Sequence, residues 1–325
     1  MLLVTTPRAR ASLAPLLDVW AAAGPVHVES CSGRPPTGDQ LAAMAAATGV
    51  RAVMVVGPRR CSPRTAIPGP VLPAANGRSV PVGWLPDVGI DPVRAFATAA
   101  ATVHARRLAA GSDRTSGSSA GPGRTLAVLG QRHGRFDDLA SRILRLVEEG
   151  LQRGDPHGVR LQGARWTAYD LHRDDLAGAL ALGPALAVYV GHGRPSGWVG
   201  YAGTRAHHLG ADVTAGWQPS AVILSLTCRT ASRYRTGLSF AEAIALRGAT
   251  AAAVGAVRTT SHLANARWAL RLTRAAGSAA TVGDLVAAVA PYDPAAATYR
   301  LIGDPTAPLL DATTMAGRPE LIEVA

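Results

Sequence analysis

Two stretches decide the fold: LAVYVGHG, residues 186–193, and SAVILSLTC, residues 220–228. Each opens on an uninterrupted apolar run, the pattern of a strand buried on both faces. His192 stands between Gly191 and Gly193 just past the first run, and Cys228 ends the second, 36 residues later. If the two strands are parallel neighbours, both side chains emerge at the carboxyl edge of the sheet, where open α/β folds hold their sites. An imidazole titrates in the range needed to take a thiol proton and hand it to a leaving group. The flanking glycines let backbone approach closely, so the N–H groups of Gly193 and Cys228 are expected to cradle an oxyanion.

The strand–helix rhythm extends in both directions from this pair. TLAVLG (125–130) is a strand, FDDLASRILRLVEEGLQRG (136–154) a long amphipathic helix, and residues 174–182 a shorter helix. Downstream, SFAEAIALRG (239–248) is a helix and ATAAAVGAV (249–257) a strand. The first hundred residues repeat the pattern: strands at 2–6, 27–30 and 51–57 alternate with helices at 9–24 and 38–49, and a third helix is expected over 92–108. Between the halves, AAGSDRTSGSSAGPGR (109–124) exchanges large apolar residues for Gly, Ser and Pro, the composition of a flexible linker. The expected architecture is α/β, with two side-by-side lobes on mostly parallel sheets, an N-terminal subdomain at 1–108 and a second at 125–325.

Length and composition agree with that division. A chain of 325 residues, 48% hydrophobic and 17% charged, can bury a large core and exceeds one small module. All 33 basic residues are arginine and outnumber 22 acids, a balance that first suggests nucleic acid. The charge is spread thinly over both halves, and with 5% aromatics there is little to stack bases on, so no nucleic-acid partner is expected. Cys31, Cys61 and Cys228 are odd in number and lack CxxC spacing, which excludes a disulfide framework and suits a reducing compartment. The start, MLLVTTPRAR, turns polar too quickly for a signal peptide, and Gly183, Pro184 and the GHG turn interrupt the longest uncharged stretch. A cytoplasmic protein with no membrane partner is expected.

The segments AVYVGHGRPSGW (187–198), SAVILSLTCRTA (220–231), GLSFAEAIALRGATAAAVGAV (237–257) and YRLIGDPTAPL (299–309) resemble the catalytic half of gingipain-type cysteine peptidases. VPVGWLPDVGIDPVRAFATAAATVHARR (80–107) is similar to the segment that closes the first subdomain of that family. The related CHAT peptidases share the GHG and Cys motifs. The resemblance implies a caspase-like second lobe and hydrolysis of peptide bonds in a protein or peptide substrate. It assigns Cys228 as nucleophile, His192 as general base and acid, and Gly193 as oxyanion donor. Members of the family that cut after basic residues need an acidic pocket, yet Ser225 stands three residues before the nucleophile. Asp137 and Asp138 are the remaining acidic candidates, although at the start of a helix they also suit its N-terminus. On the other side Arg229, Arg233 and Arg235 follow the cysteine and offer a thiolate partner or an acidic-substrate site, or form a solvated loop. His262 is placed to wall the cleft.

Other motifs carry less chemistry. His207, His208 and Asp212 match metal ligands by residue type alone, so no metal is expected. No phosphate loop or GxGxxG fingerprint supports a cofactor, and Gly303-Asp304-Pro305 is a turn. The alternative to a peptidase is a catalytically silent caspase-like module that acts as a scaffold. For a peptidase the Gly/Ser-rich linker is the expected point of self-cleavage, after Asp113, Arg114 or Arg124 according to the pocket's charge.

Overall fold

Residues 2–5 are apolar apart from Thr5 and buried throughout, and they form β1 (Leu2–Thr5), a strand covered on both faces. Two helices follow, α1 (Pro7–Ser12) and α2 (Ala14–Ala23), in place of the single one expected. Pro15 has no N–H to continue a ladder, and the chain breaks at Leu13 before restarting with that proline in its first turn. Next come β2 (His27–Ser30), α3 (Gly38–Thr48) with a Thr37–Gln40 capping box, and β3 (Val53–Pro58). α4 (Pro63–Ala66), β4 (Val71–Pro73), β5 (Ser79–Asp87) and α5 (Ile90–Ser112) complete this half. The computed structural model describes residues 1–31, 33–73, 77–112, 125–152, 162–168, 171–235 and 237–309. α5 therefore occupies the first four positions of the expected linker, and residues 113–124, with their candidate cleavage points, lie outside the described residues.

The second half opens with β6 (Thr125–Gly130), α6 (Gly134–Gln152), β7 (Gln162–Thr167) and α7 (Arg173–Leu180). β8 (Leu186–Val190) leads into the small hairpin β9 (Gly193–Arg194) and β10 (Gly197–Trp198), then α8 (Gly200–Gly203). β11 (Ser220–Leu226), α9 (Phe240–Leu246), β12 (Thr250–Ala256), α10 (His262–Ala276), α11 (Val282–Ala287) and β13 (Tyr299–Gly303) finish the described chain.

The α/β class and the mostly parallel sheet are as expected, and the two lobes are halves of one sheet. Its order is β2-β1-β3-β5-β13-β12-β11-β8-β6-β7, with β4 on β5. β13, from the end of the chain, runs parallel to β5 and antiparallel to β12. All other neighbours along the path are parallel. The sheet is thus two parallel blocks running in opposite directions, so their carboxyl edges face opposite ends of the molecule. The pair named by the motifs sits on the edge of the second block.

Buried polar ties lock the halves together. His104 Nε2 on α5 lies 2.8 Å from the Asp304 carboxylate, which also accepts from the Thr306 N–H and hydroxyl. Gly303-Asp304-Pro305 is accordingly a turn, held to the other half by its acid. Arg300 Nε donates to the Ile67 carbonyl at 2.9 Å, and Trp84 Nε1 donates to Glu242 at 2.9 Å.

Candidate active site

β8 pairs with β11 so that Val190 stands opposite Leu226. Two residues beyond that last pair, on the two strands, are His192 and Cys228, and neighbouring strands are about 5 Å apart. Both residues therefore leave the same edge at the same level, as the parallel-neighbour argument requires. The GHG turn is held at its backbone. His192 N–H donates to Gln131 Oε1 at 2.7 Å, and its carbonyl accepts from the Tyr189 hydroxyl at 3.0 Å and the Val199 N–H at 2.9 Å. The glycines serve close approach here, since neither has a positive φ. A Cβ on Gly191 would meet the Tyr189 ring carbon at 2.6 Å, and one on Gly193 would stand 2.7 Å from the Cys228 carbonyl oxygen.

The cysteine turn is fixed from the other side, by the continuation of β12. Arg229, at φ 60, bends the chain directly after Cys228. Its N–H donates to the Arg258 carbonyl, and that of Ala231 to Ala256. Cys228 is partly exposed, and the hydrogen-bond partners of its sulfur among the described residues all belong to Thr260: the N–H at 3.4 Å, the hydroxyl at 3.6 Å and the carbonyl at 3.5 Å. The N–H is a donor already in place for a sulfur that carries negative charge.

The His192 ring belongs to an aromatic and cationic cluster. Phe136, buried at the start of α6, meets His192, His262 and His133 edge-on at centroid distances of 5.3, 5.5 and 5.8 Å. Arg135 Nη2 lies 2.8 Å from His192 Nε2, and the guanidinium sits 4.6 Å over the Phe136 ring. Partial burial lowers the His192 pKa below the ordinary imidazole value, and Arg135, His133 and His262 lower it further. His262 is lowered by burial, Arg135 and His133. Because Arg135 can only donate, Nε2 accepts, so the neutral ring carries its proton on Nδ1. No hydrogen bond joins the His192 ring to the Cys228 sulfur among the described residues.

The other expected site residues divide. His262 opens α10 two residues after Thr260 and meets the Phe136 ring, which also meets His192. Arg229 lines the rim with its Nε on the Thr259 hydroxyl at 3.2 Å. Asp137 is paired with Arg165 of β7, which neutralises it as a pocket acid, and Asp138 is exposed one position further along α6. Ser225 is buried beneath the site, its hydroxyl accepting from Trp198 Nε1 at 3.0 Å. Arg233 turns inward to Glu242, with Nε 2.7 Å from Oε2, and donates to the Arg59 carbonyl; it serves as neither thiolate partner nor substrate site. Arg235 stacks on Tyr234.

Several supports had no signal in the motifs. Gln131, Arg135, Phe136 and Thr260 lie on loops or helix starts and meet the site only through the fold. Glu242 is fully buried and accepts from Trp84, Arg233 and the Ser239 N–H and hydroxyl. The Ser239–Glu242 spacing is a legible capping box. His208 Nδ1 accepts from the Arg205 N–H and Asp212 pairs with Arg247, and among the described residues no group of three or more His, Cys, Asp or Glu is arranged to hold a metal. Cavities of about 490 and 500 Å³ open beside the β9–β10 hairpin, and neither is lined by His192 or Cys228. No helix among the described residues is long and apolar enough to cross a membrane.

Residues 152–310, just under half of the chain and the part that holds both motifs, match the model of peptidase family C25. No curated protein matches the sequence. Among solved structures the chain is similar to the Arg specific cysteine proteinase gingipain R, with a TM-score of 0.68 at 13% identity, over 95% of this chain and 77% of that one. It is also similar to the complex of Porphyromonas gingivalis RgpB pro- and mature domains, with a TM-score of 0.63 at 15% identity, over 94% and 79%. At such identities the likeness shows the fold, which is the gingipain-type fold the motifs resembled. The family match supports a cysteine-type peptidase.

Proposed function

We propose that Cys228 and His192 form a catalytic dyad that hydrolyses peptide bonds of a specific intracellular protein. The observation that carries this is the closure of the GHG turn onto the cysteine turn, with Gly193 packed against the Cys228 backbone at the edge of adjacent parallel strands. His192 takes the thiol proton and the sulfur attacks the scissile carbonyl carbon. The oxyanion is received by the N–H groups of Gly193 and Cys228. The carbon–nitrogen bond then breaks as the imidazolium gives its proton to the leaving amine, which departs and leaves a thioester. Water, deprotonated by the same ring, attacks the thioester, and the sulfur leaves with a proton. The cytoplasmic setting rests on all three cysteines being free, as a reducing compartment keeps them; recovery of the chain in the soluble fraction of its own cells checks it.

The rival reading, a silent caspase-like scaffold, draws on the resting contacts: Cys228 faces Thr260 while His192 Nε2 faces Arg135. Catalytic hydrogen bonds are often made only with substrate bound. Iodoacetamide alkylation followed by peptide mass mapping separates the two. The dyad predicts that Cys228 reacts faster than Cys61 and slows about 10-fold or more in His192→Ala. It also predicts hydrolysis of a mixed fluorogenic peptide library that is abolished in Cys228→Ala. Equal alkylation with no hydrolysis supports the scaffold.

A further inference from the structure

The segment that leaves β6 and opens α6, residues 131–135, reaches the site beside β8 and sets a guanidinium against the catalytic ring. Arg135 is exposed, contacts His192 Nε2 at 2.8 Å, and stacks on Phe136. No carboxylate pairs with it among the described residues. An unmatched guanidinium beside a ring that has to accept a proton opposes the proposed chemistry as long as it stays there. The arrangement is productive only if something else draws the guanidinium away.

The rest of the cleft indicates what that is. Asp137 is committed to Arg165, and Glu242 to Arg233, Trp84 and its own helix cap, while Asp138 is exposed further along α6. Arg229, on the opposite rim, has its Nε on a neutral hydroxyl. His133 and His262 complete the wall around Phe136. The described side chains that hydrogen-bond to or stack on His192 and Cys228 are therefore cationic or neutral, and no described carboxylate touches either residue.

We propose that Arg135 determines specificity by receiving the carboxylate of an aspartate or glutamate on the acyl side of the scissile bond. This rests on the peptidase reading above. A guanidinium holds a carboxylate through two parallel charge-assisted hydrogen bonds, which a neutral imidazole nitrogen cannot match. Binding an acidic residue moves Arg135 off His192 Nε2 and neutralises the charge that opposes protonation of the ring, so the correct substrate also completes the base. A basic residue at the same position is repelled by Arg135 and Arg229 together.

The test uses the full chain and fluorogenic tetrapeptides that differ only in the residue before the cleaved bond: Asp, Glu, Asn, Ala, Arg or Lys. Asp or Glu is expected to exceed Asn by about 10- to 100-fold in kcat/KM, the range of a charge-assisted pair. Arg135→Gln is expected to erase that ratio, Arg135→Lys to keep part of it, and Arg135→Glu to turn the preference toward Arg and Lys. Arg135 is exposed, and unchanged melting temperatures would show that each variant folds. Preference for Arg or Lys in the parent, or equal loss on all peptides in Arg135→Gln, overturns the proposal while rapid alkylation of Cys228 leaves the dyad standing. No cleavage with slow alkylation overturns both.

Discussion

Gly193 is packed against Cys228 so closely that a Cβ on the glycine would lie 2.7 Å from the cysteine's carbonyl oxygen, with the Thr227 methyl nearer still at 2.5 Å. Gly193→Ala must push the two turns apart. Because the obstacle includes backbone, relaxation of a side chain does not relieve it. The expected result is a loss of about 100-fold or more in kcat, the scale of a displaced oxyanion donor, with about 1–3 kcal/mol of stability lost to overpacking. Peptide hydrolysis and urea unfolding measure the two separately.

The His192 shift sets a pH dependence. Burial, Arg135 and the neighbouring imidazoles of His133 and His262 all favour the neutral ring, so the base stays unprotonated as pH falls through the ordinary imidazole value of about 6.5. The acidic limb of kcat/KM is expected below that point, with an apparent value that belongs to the coupled pair. Replacing His133 and His262 together by Gln removes two of the causes, and the limb should move toward higher pH. A limb that stays in place would show that these rings do not act on His192.

Glu242 joins three parts of the chain that sequence separates. Its side chain is fully buried, Arg233 is 11% exposed, and Trp84 reaches it from the other half of the sheet. Glu242→Ala leaves a nearly buried guanidinium with no counter-charge and only the Arg59 carbonyl as acceptor, and an indole N–H with none, at a cost of about 3–5 kcal/mol. Arg233 is five residues past Cys228, so alkylation of the cysteine should also change. A loss under about 1 kcal/mol in urea unfolding would contradict this account.

β8 and β11 were legible because their apolar runs are unbroken, and the His192–Cys228 pairing followed from their carboxyl ends alone. β5 was not, because Pro81 and Pro86 read as breakers. β13 pairs with it only around Gly83 and Trp84, so the prolines fall outside that contact. The joining of the two lobes was hidden for a related reason: β13 comes from the end of the chain, and no local pattern reveals that a strand will enter between two distant neighbours. Asp137 and Asp138 showed their residue type and not their partners. Arg165, which neutralises Asp137, lies 28 residues away across a strand. A lone arginine such as Arg135 carries no local signal, and only the adjacency of β6 to β8 gives it a role.

Tyr189 ties the GHG turn to the strand that carries the cysteine. Its hydroxyl, kept protonated by burial, donates to the His192 carbonyl at 3.0 Å and accepts from the Gly200 N–H at 3.1 Å. Its ring stacks on Trp198 at 4.5 Å, and Trp198 Nε1 donates to Ser225 in β11. Tyr189→Phe keeps the stack and removes only the hydroxyl, leaving one buried N–H without an acceptor, at about 1–3 kcal/mol. The His192 carbonyl retains the Val199 N–H, so the turn loosens without unfolding. Tyr189 touches neither the sulfur nor the imidazole and acts by positioning, so kcat should fall about 10-fold while KM changes little. Ser225→Ala releases the other end of the chain and should lower kcat by less. If KM rises as much as kcat falls, or if the whole effect follows a drop in melting temperature, Tyr189 supports the fold and does not position His192.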